Sequence, residues 1–198
     1  MMKKFSVYIP QAIHSRGIKL LEENNCRVVT SPATDLPASQ TDLSHCQAMI
    51  VRGLKVDHAL LETLKEVKLI VRHGVGIDNI ELTETERRGI RVENTPLANS
   101  NSVAEHTLGL MLALLHNIVK ADALTRQGLF NQRDQWIGDD LKDKIVGIIG
   151  FGTIGQLVAQ KCSSAFGTKI RVFDPYFSGA FPPYASPLHS LDALIKVA

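Results

Sequence analysis

The stretch that decides the fold is KIVGIIGFGTIG, Lys144–Gly155, in which an apolar run leads directly into a glycine-rich turn. Apolar residues recur on one face of the segment that follows, which predicts a helix opening at the turn. The next apolar run ends at Asp174, about 20 residues after Gly155. A strand, a G-x-G-x-x-G turn, a helix and a later acidic residue form the dinucleotide-binding fingerprint.

Each glycine of this turn has its own physical reason. Gly150 permits the tight turn, Gly152 lets the backbone approach a pyrophosphate, and Gly155 lets helix and strand pack closely. The N–H groups and helix dipole near Thr153 and Ile154 then provide the pyrophosphate site. FAD and S-adenosylmethionine sites share this geometry, and a purely structural glycine turn is a further alternative.

Asp174 indicates which dinucleotide binds. A carboxylate at this position can accept hydrogen bonds from both hydroxyls of the adenosine ribose, and it would repel a 2′-phosphate. No arginine follows it in Pro175-Tyr176-Phe177. The sequence therefore favours NAD over NADP.

Composition restricts the class of protein. The chain has 198 residues, a net charge of +2 and 44% hydrophobic residues, which excludes a disordered charged tail. No basic run favours nucleic acid or a membrane surface as a partner. The apolar stretch Thr107–Val119 is shorter than the roughly 18 residues of a membrane span. The N-terminus is a poor signal peptide, and three scattered cysteines fit a reducing cytoplasm.

Short apolar runs alternate with helical patterns along the whole chain. These runs do not alternate with polar residues, which predicts an α/β fold with parallel sheets covered on both faces. The predicted strands are Phe5–Ile9, Arg27–Thr30, Ala48–Val51, Leu69–Arg72, Ile90–Val92, Ile145–Ile149 and Ile170–Phe173.

Two capping boxes predict helix starts. Thr83-x-x-Glu86 precedes a basic turn and Gly89. Ser102-x-x-Glu105 opens an apolar helix that runs towards Ala123 and should be buried, either within the chain or against a second subunit. A last helix is predicted over Leu188–Val197. Turn-forming residues cluster at Asn94–Ser102, which predicts two domains, residues 1–100 and 101–198.

A second glycine-rich segment, RHGVGIDN, follows the strand that ends at Arg72. Its exposed backbone N–H groups can hold a carboxylate. Arg52 ends the neighbouring strand, so both arginines lie at carboxyl ends, where open α/β sheets bind ligands. The alternative is that both arginines are simply solvated.

Three motifs in this order resemble the NAD-dependent D-2-hydroxyacid dehydrogenases, and among them the D-3-phosphoglycerate dehydrogenases. They are VRHGVGIDNIELTETERRGIRVENTP, ANSNSVAEHTLGLMLALLHNI and DKIVGIIGFGTIGQLVAQKC. The resemblance implies a flavodoxin-like substrate domain, then an incomplete Rossmann doubly wound sheet. It also implies a cytoplasmic oxidoreductase of serine biosynthesis that acts on a 2-hydroxy or 2-keto acid, with 3-phosphoglycerate favoured.

The same resemblance implies roles for particular residues. The amides around Gly74, Val75 and Gly76 would hold the substrate carboxylate, with Val75 also near the nicotinamide. Arg52 and Arg72 would bind the phosphate. The helix and loop of residues 102–143, including Trp136, would form a homodimer contact.

The family's catalytic Arg, His and Glu belong to the later half of the cofactor domain, beyond the equivalent of Ala198. His73 and His106 do not replace them, because a general base needs an orienting partner and none can be assigned from sequence. No metal motif is present. The 198-residue chain is therefore expected to be inactive alone. The alternatives are an NAD-binding sensor or corepressor-like module and a gene fragment without function.

Overall fold

The computed structural model describes residues 4–30 and 43–198. The chain divides into two compact units, Met1–Ala98 and Asn99–Ala198. Each unit is built on a sheet of parallel strands, as the continuous apolar runs predict. The α/β fold class is confirmed.

The first unit contains a five-stranded parallel sheet in the order β2-β1-β3-β4-β5. This order is that of the flavodoxin-like fold, which confirms the expectation for this part of the chain. Four of the five strands match their predicted positions to within one residue, and β5 extends further. The strands are β1 Phe5–Ile9, β2 Cys26–Thr30, β3 Ala48–Val51, β4 Leu69–Arg72 and β5 Arg91–Asn94.

Both faces of this sheet are covered. Val7 and Ile9 pack with Ile13 and other residues beside α1, and Tyr8, which points to the opposite face, belongs to a second apolar cluster with Met49. Burial on both faces explains why these strands lack polar alternation. The helices are α1 Ser15–Glu23, α2 His58–Thr63 and α3 Leu82–Arg87.

The predicted cap at Thr83 is wrong. Helix α3 begins at Leu82, so Thr83 lies inside its first turn. The start is set by Glu81, whose amide donates to Val56 O and whose side chain accepts from the amide of His58. This long-range pairing overrides the local motif. The predicted stop holds, since Gly89 has a φ of +65°.

The second unit contains a three-stranded parallel sheet in the order β6-β7-β8. Strand β8 was missed because it has three residues and ends in Pro187. In the part of the chain that the structure describes, β6 is an edge strand, and its Ile149 is 67% exposed. The elements are α4 Ser100–Leu115, α5 Ile118–Arg126, a 3-10 helix Phe130–Gln135, β6 Ile145–Ile149, α6 Thr153–Phe166, β7 Lys169–Phe173, β8 Ala185–Pro187 and α7 Leu191–Ile195.

The second predicted cap, Ser102 with Glu105, is also wrong. Helix α4 already begins at Ser100, so Ser102 lies in its first turn. Glu105 instead accepts a hydrogen bond of 2.7 Å from Asn101 Nδ2, and it lies 3.6 Å from Lys161 Nζ on α6. Its role is to link two helices.

The apolar helix is neither continuous nor buried all round. Asn117 adopts a left-handed conformation, with φ 51°, and divides α4 from α5. Ala104 is buried, whereas Leu114 and Val119 are 79% and 77% exposed. No single helix among the described residues could cross a bilayer, although the bent α4–α5 pair meets the length and composition for one.

The last helix is shorter than predicted. Leu188 lies outside the helix, where its amide donates to Val172 O, and α7 begins only after Ser190, whose backbone is extended. The Ser190 hydroxyl caps this helix by accepting the amide of Ala193 at 3.1 Å. The helix ends at Ile195 rather than Val197.

Candidate functional site

The glycine-rich turn joins β6 to α6 with the geometry that its sequence predicts. Gly150 has a φ of +86°, a conformation that side chains disfavour. A Cβ at Gly155 would lie 2.2 Å from Gly150 O, so only glycine fits there. The space beside Gly152 is open. The backbone is therefore accessible at the position where a pyrophosphate would approach.

Backbone N–H groups are unoccupied at the start of α6. Within residues 4–30 and 43–198, no acceptor lies against the amides of Gly152, Thr153 and Ile154. The first amide of this region that forms a helical hydrogen bond is that of Gln156, which donates to Gly152 O. Open N–H groups at the positive end of a 14-residue helix form an anion site suited to a pyrophosphate.

Asp174 lies at the end of β7, beside this turn. Its Oδ2 accepts the amide of Phe151 at 2.6 Å, and its Oδ1 accepts those of Tyr176 and Phe177 at 2.8 and 3.1 Å. These hydrogen bonds, that of Phe151 foremost, lower the pKa of the Asp174 carboxyl. A carboxylate has about four acceptor positions, so capacity for a ribose hydroxyl remains.

Phe151, inside the turn, anchors it to the unit. Its side chain is fully buried, and its ring packs 5.1 Å from that of Phe177 and 5.2 Å from that of Phe181, centroid to centroid. The cluster cannot be predicted from the sequence, because the three aromatic residues do not follow a periodic pattern. The cluster anchors the turn through the Phe151 side chain, while the Phe151 amide donates to Asp174.

The first unit carries the second glycine-rich loop, after β4. Gly74 has a φ of 149°, and its amide donates to Thr95 Oγ1 at 2.9 Å, so this amide is not open. Asn94 Nδ2 donates a hydrogen bond of 2.7 Å to Val75 O. Across the described ranges, the amides of Val75 and Gly76 have no acceptor. Two of the three predicted amides are thus available to a carboxylate.

The guanidinium of Arg72 packs over this loop. Its Nε donates to Asn79 Oδ1 at 3.2 Å, and its Nη1 donates to His73 O. A Cβ at Gly74 would collide with this guanidinium. On the other side, Asp78 Oδ1 lies 2.7 Å from where a Cβ of Gly76 would be. The glycine-rich loop after β4 therefore has one cationic neighbour, Arg72, and one anionic neighbour, Asp78.

Arg52 lies at the adjacent strand end, after β3. Its Nη1 donates to Ala12 O at 3.0 Å. The amides of Arg52, Gly53 and Leu54 all donate to Gln11 Oε1, at 3.2, 2.9 and 2.9 Å. This role of Gln11 cannot be predicted from the sequence, because its partners are more than 40 positions away along the chain.

Among the described residues, neither His73 nor His106 is paired with a carboxylate that could orient it as a general base. His73 is exposed at the loop, and His106 is exposed on α4. A different histidine, His58, has Nδ1 3.3 Å from Glu84 Oε1. The three side chains His58, Glu62 and Glu84 have the spacing of a cation site, but the arginines at positions 87 and 88 already bind Glu84.

A flavodoxin-like unit, followed by a unit with a Rossmann-type glycine turn, defines a dinucleotide-binding class of α/β proteins. Within that class, residues 7–182 match the model of the D-isomer specific 2-hydroxyacid dehydrogenase catalytic domain. The chain belongs to the D-isomer specific 2-hydroxyacid dehydrogenase family.

Named relatives and solved structures agree with this family. Hydroxypyruvate reductase of Thermotoga maritima is 34% identical over 198 residues, 98% of this chain and 63% of that protein. D-3-phosphoglycerate dehydrogenase of Methanocaldococcus jannaschii is 37% identical over 171 residues, 86% of this chain and 32% of that protein. The crystal structure of TT0316 from Thermus thermophilus aligns with a TM-score of 0.85 and 28% identity, covering 98% of this chain and 62% of that one. This chain spans less than two thirds of each.

Proposed function

We propose that this chain is the substrate-binding unit and the first half of the cofactor unit of an NAD-dependent oxidoreductase that acts on a 2-hydroxy or 2-keto acid. The observation that carries the proposal is the open set of amides at Gly152, Thr153 and Ile154 beside the carboxylate of Asp174. When bound, NAD would accept or return a hydride. The side chains of this chain would hold its pyrophosphate and ribose.

Melting of the 198-residue chain with and without NAD tests this proposal. A hundredfold excess of NAD over its Kd should stabilise the chain by about 2.7 kcal/mol, because ligand that binds only the folded state shifts the equilibrium. An unchanged melting temperature at saturating NAD would contradict it.

The substrate that we propose is 3-phosphoglycerate. Two arginines at neighbouring strand ends, Arg52 and Arg72, support a phosphorylated acid, and open amides at Val75 and Gly76 support its carboxylate. The similarity to a hydroxypyruvate reductase makes an unphosphorylated acid the alternative. In the longer enzyme, Arg72→Ala should raise KM more for a phosphorylated substrate than for an unphosphorylated one. Equal effects would favour the alternative.

We propose that the 198-residue chain has no turnover of its own. His73 and His106 are exposed and, among the described residues, neither is paired with a carboxylate that could orient it as a base. NADH production by this chain with glycerate or 3-phosphoglycerate would overturn this statement.

A chain that binds NAD without turnover would also fit the second candidate function, an NAD-binding sensor or corepressor-like module.

The proposed assembly is a homodimer through residues 102–143. Exposed apolar side chains cluster on α4 and α5, at Leu110, Leu114, Ile118 and Val119. Next to them, Lys120 Nζ lies over the ring of Trp136. An exposed apolar face of this kind fits burial against a second copy of the chain.

The location that we propose for the protein is the cytoplasm, and the role that we propose for the longer enzyme is in serine biosynthesis.

A further inference from the structure

The side chain of Asn79 bridges the loops that follow β3 and β4. Its Oδ1 accepts a hydrogen bond of 3.2 Å from Arg72 Nε, at the end of β4. Its Nδ2 donates one of 2.7 Å to Leu54 O, in the loop after β3. The bridge requires a side chain that both accepts and donates. An aspartate could only accept, and a leucine could do neither.

The backbone of Asn79 is held independently of this side chain. Asn79 O accepts the amide of Val56 at 2.8 Å, and Val56 pairs with Ile80 in a parallel bridge. Val56 and Ile80 are both buried, whereas Asn79 itself is half-buried. A substitution of Asn79 therefore removes its two side-chain hydrogen bonds, while the backbone contacts that place the residue remain.

The contact with Asn79 helps to fix the direction of the Arg72 guanidinium. Nε of Arg72 is bonded to Asn79 Oδ1, and Nη1 donates to His73 O. Because the guanidinium is planar and rigid, bonds at two of its nitrogens set the direction of the third. In the part of the chain whose structure is described, Nη2 has no acceptor. The group is thus ordered with one nitrogen left for a ligand.

Both acceptors that hold Arg72 are neutral. The nearest acidic residue along the chain, Asp78, has its Oδ1 beside Gly76, and no carboxylate among the described residues pairs with Arg72. A carboxamide at position 79 therefore orients the guanidinium without cancelling its charge, which a carboxylate there would do. A side chain that is ordered before a ligand arrives loses less conformational entropy on binding it.

We propose that Asn79 is a positioning residue for substrate binding, which holds the Arg72 guanidinium charged, ordered and with Nη2 open towards an anionic group of the substrate. Asn79 acts through Arg72 and does not contact the substrate itself. The proposal rests on the proposed function, in which Arg72 binds the substrate. The orientation of Arg72 by Asn79 is measured without any ligand.

The first experiment follows the Nε–H resonance of Arg72 by NMR in the 198-residue chain. Asn79→Leu, which is close in volume and has no polar group, should accelerate the exchange of this hydrogen with water. Asn79→Asp keeps an acceptor and should keep the exchange slow. The backbone amide resonance of Val56 should be unchanged in both variants, which shows that the fold around position 79 is retained.

The second experiment is a double-mutant cycle on the affinity for 3-phosphoglycerate, measured by calorimetric titration of the 198-residue chain. Asn79→Leu should weaken binding about tenfold, the factor that one hydrogen bond provides. In the background of Arg72→Ala, it should cause no further loss, because a positioning residue has no effect once the group that it positions is removed.

Asn24→Leu is the matched control for both experiments. Asn24 also donates from Nδ2 to a backbone carbonyl, that of Leu20 at 2.9 Å, but it is exposed at the end of α1. It precedes β2, so it lies at the amino ends of the parallel strands, away from the loops after β3 and β4. The exchange of the Arg72 Nε–H and the affinity for 3-phosphoglycerate should both match those of the wild type.

The proposal is overturned if Asn79→Leu leaves the exchange of the Arg72 Nε–H unchanged, if Asn79→Asp loses protection as fully as Asn79→Leu, or if the losses from Asn79→Leu and Arg72→Ala simply add. A failure of the proposed function is different. If Arg72→Ala leaves the affinity for 3-phosphoglycerate unchanged, Arg72 does not bind the substrate, and the substrate role of Asn79 is overturned with it, whatever the NMR experiment shows.

Discussion

The Oδ2 atom of Asp174 lies 2.6 Å from the backbone nitrogen of Phe151, which joins the end of β7 to the glycine-rich turn. One carboxylate thus fixes the turn and lies next to the position that we propose for the cofactor ribose. Because Phe151 is also buried among aromatic rings, the turn is held from two sides. The proposed cofactor site is therefore held in place by contacts within the chain.

Asp174→Asn should weaken NAD binding by at least about tenfold, because hydrogen bonds to a charged acceptor are stronger than those to a neutral one. Calorimetric titration of both chains with NAD measures this loss. Asp140→Asn, at an exposed position of the same unit, is the control. Equal affinities of the wild type and Asp174→Asn would contradict the role assigned to this carboxylate.

The same contact predicts a pH dependence of stability. Hydrogen bonds from the amides of Phe151, Tyr176 and Phe177 lower the pKa of Asp174 below the ordinary value of about 3.9. Its stabilising effect is complete above that value and is lost as the pH falls through the lowered pKa. The difference in melting temperature between the wild type and Asp174→Asn should therefore persist at pH 5 and shrink below about pH 4. A difference that stays constant down to pH 2 would disprove this.

Gly155→Ala should destabilise the second unit by about 1–3 kcal/mol, the usual cost of overpacking, and should abolish NAD binding. The added methyl group would meet Gly150 O at 2.2 Å, and moving that carbonyl distorts the turn. Chemical denaturation measures the stability. Gly109→Ala is the matched control, since nothing lies within 4 Å of the added carbon. It should raise the stability of α4, by up to about 1 kcal/mol.

Leu114→Glu should convert the proposed dimer to a monomer, because it places a charge in the apolar face of α4 and α5. Sedimentation equilibrium measures the mass of each chain. Leu20→Glu is the control, since Leu20 is 60% exposed on α1 of the other unit. A wild-type chain that is monomeric at all concentrations would contradict the proposed dimer.

Asp78→Asn should tighten binding of glycerate roughly threefold, because it removes a like charge beside the open amides of Val75 and Gly76. The effect should decrease at high salt, which screens an exposed charge. Titration of glycerate at low and high ionic strength measures both. Asp134→Asn in the other unit should show neither effect, and an unchanged affinity in Asp78→Asn would place the carboxylate site elsewhere.

Much of the fold could be predicted because its signals are local. Strands β1, β3 and β4 are largely apolar runs in a sheet that is covered on both faces, and such coverage favours these runs. Strand β6 is an apolar run too, but its residues alternate between buried and exposed, so the predicted coverage of both faces is wrong for this strand. Strand β8 has three residues and a proline, so its pairing to β7 decides its conformation. The helix start at Leu82 depends on the long-range hydrogen bond from the Glu81 amide to Val56 O, which a four-residue sequence motif cannot predict.

In the candidate site, too, the residues with a local role could be predicted from the sequence, and those with long-range partners could not. Gly150 and Gly155 could be predicted because each is required by the conformation of its own turn. Gln11 and Asn79 could not, because they act through side-chain bonds to loops that only the folded sheet brings near. The hydrogen bond from the Gly74 amide to Thr95 Oγ1 could not be predicted either, because it forms only once β5 pairs with β4.

The most direct test of the central claim, that the glycine turn and Asp174 form an NAD site, is calorimetric titration of the 198-residue chain with NAD and with NADP. We expect saturable binding of one NAD per chain, weaker binding of NADP because Asp174 repels the 2′-phosphate, and loss of both in Gly155→Ala. Absence of NAD binding, or equal affinity for the two dinucleotides, would contradict the claim.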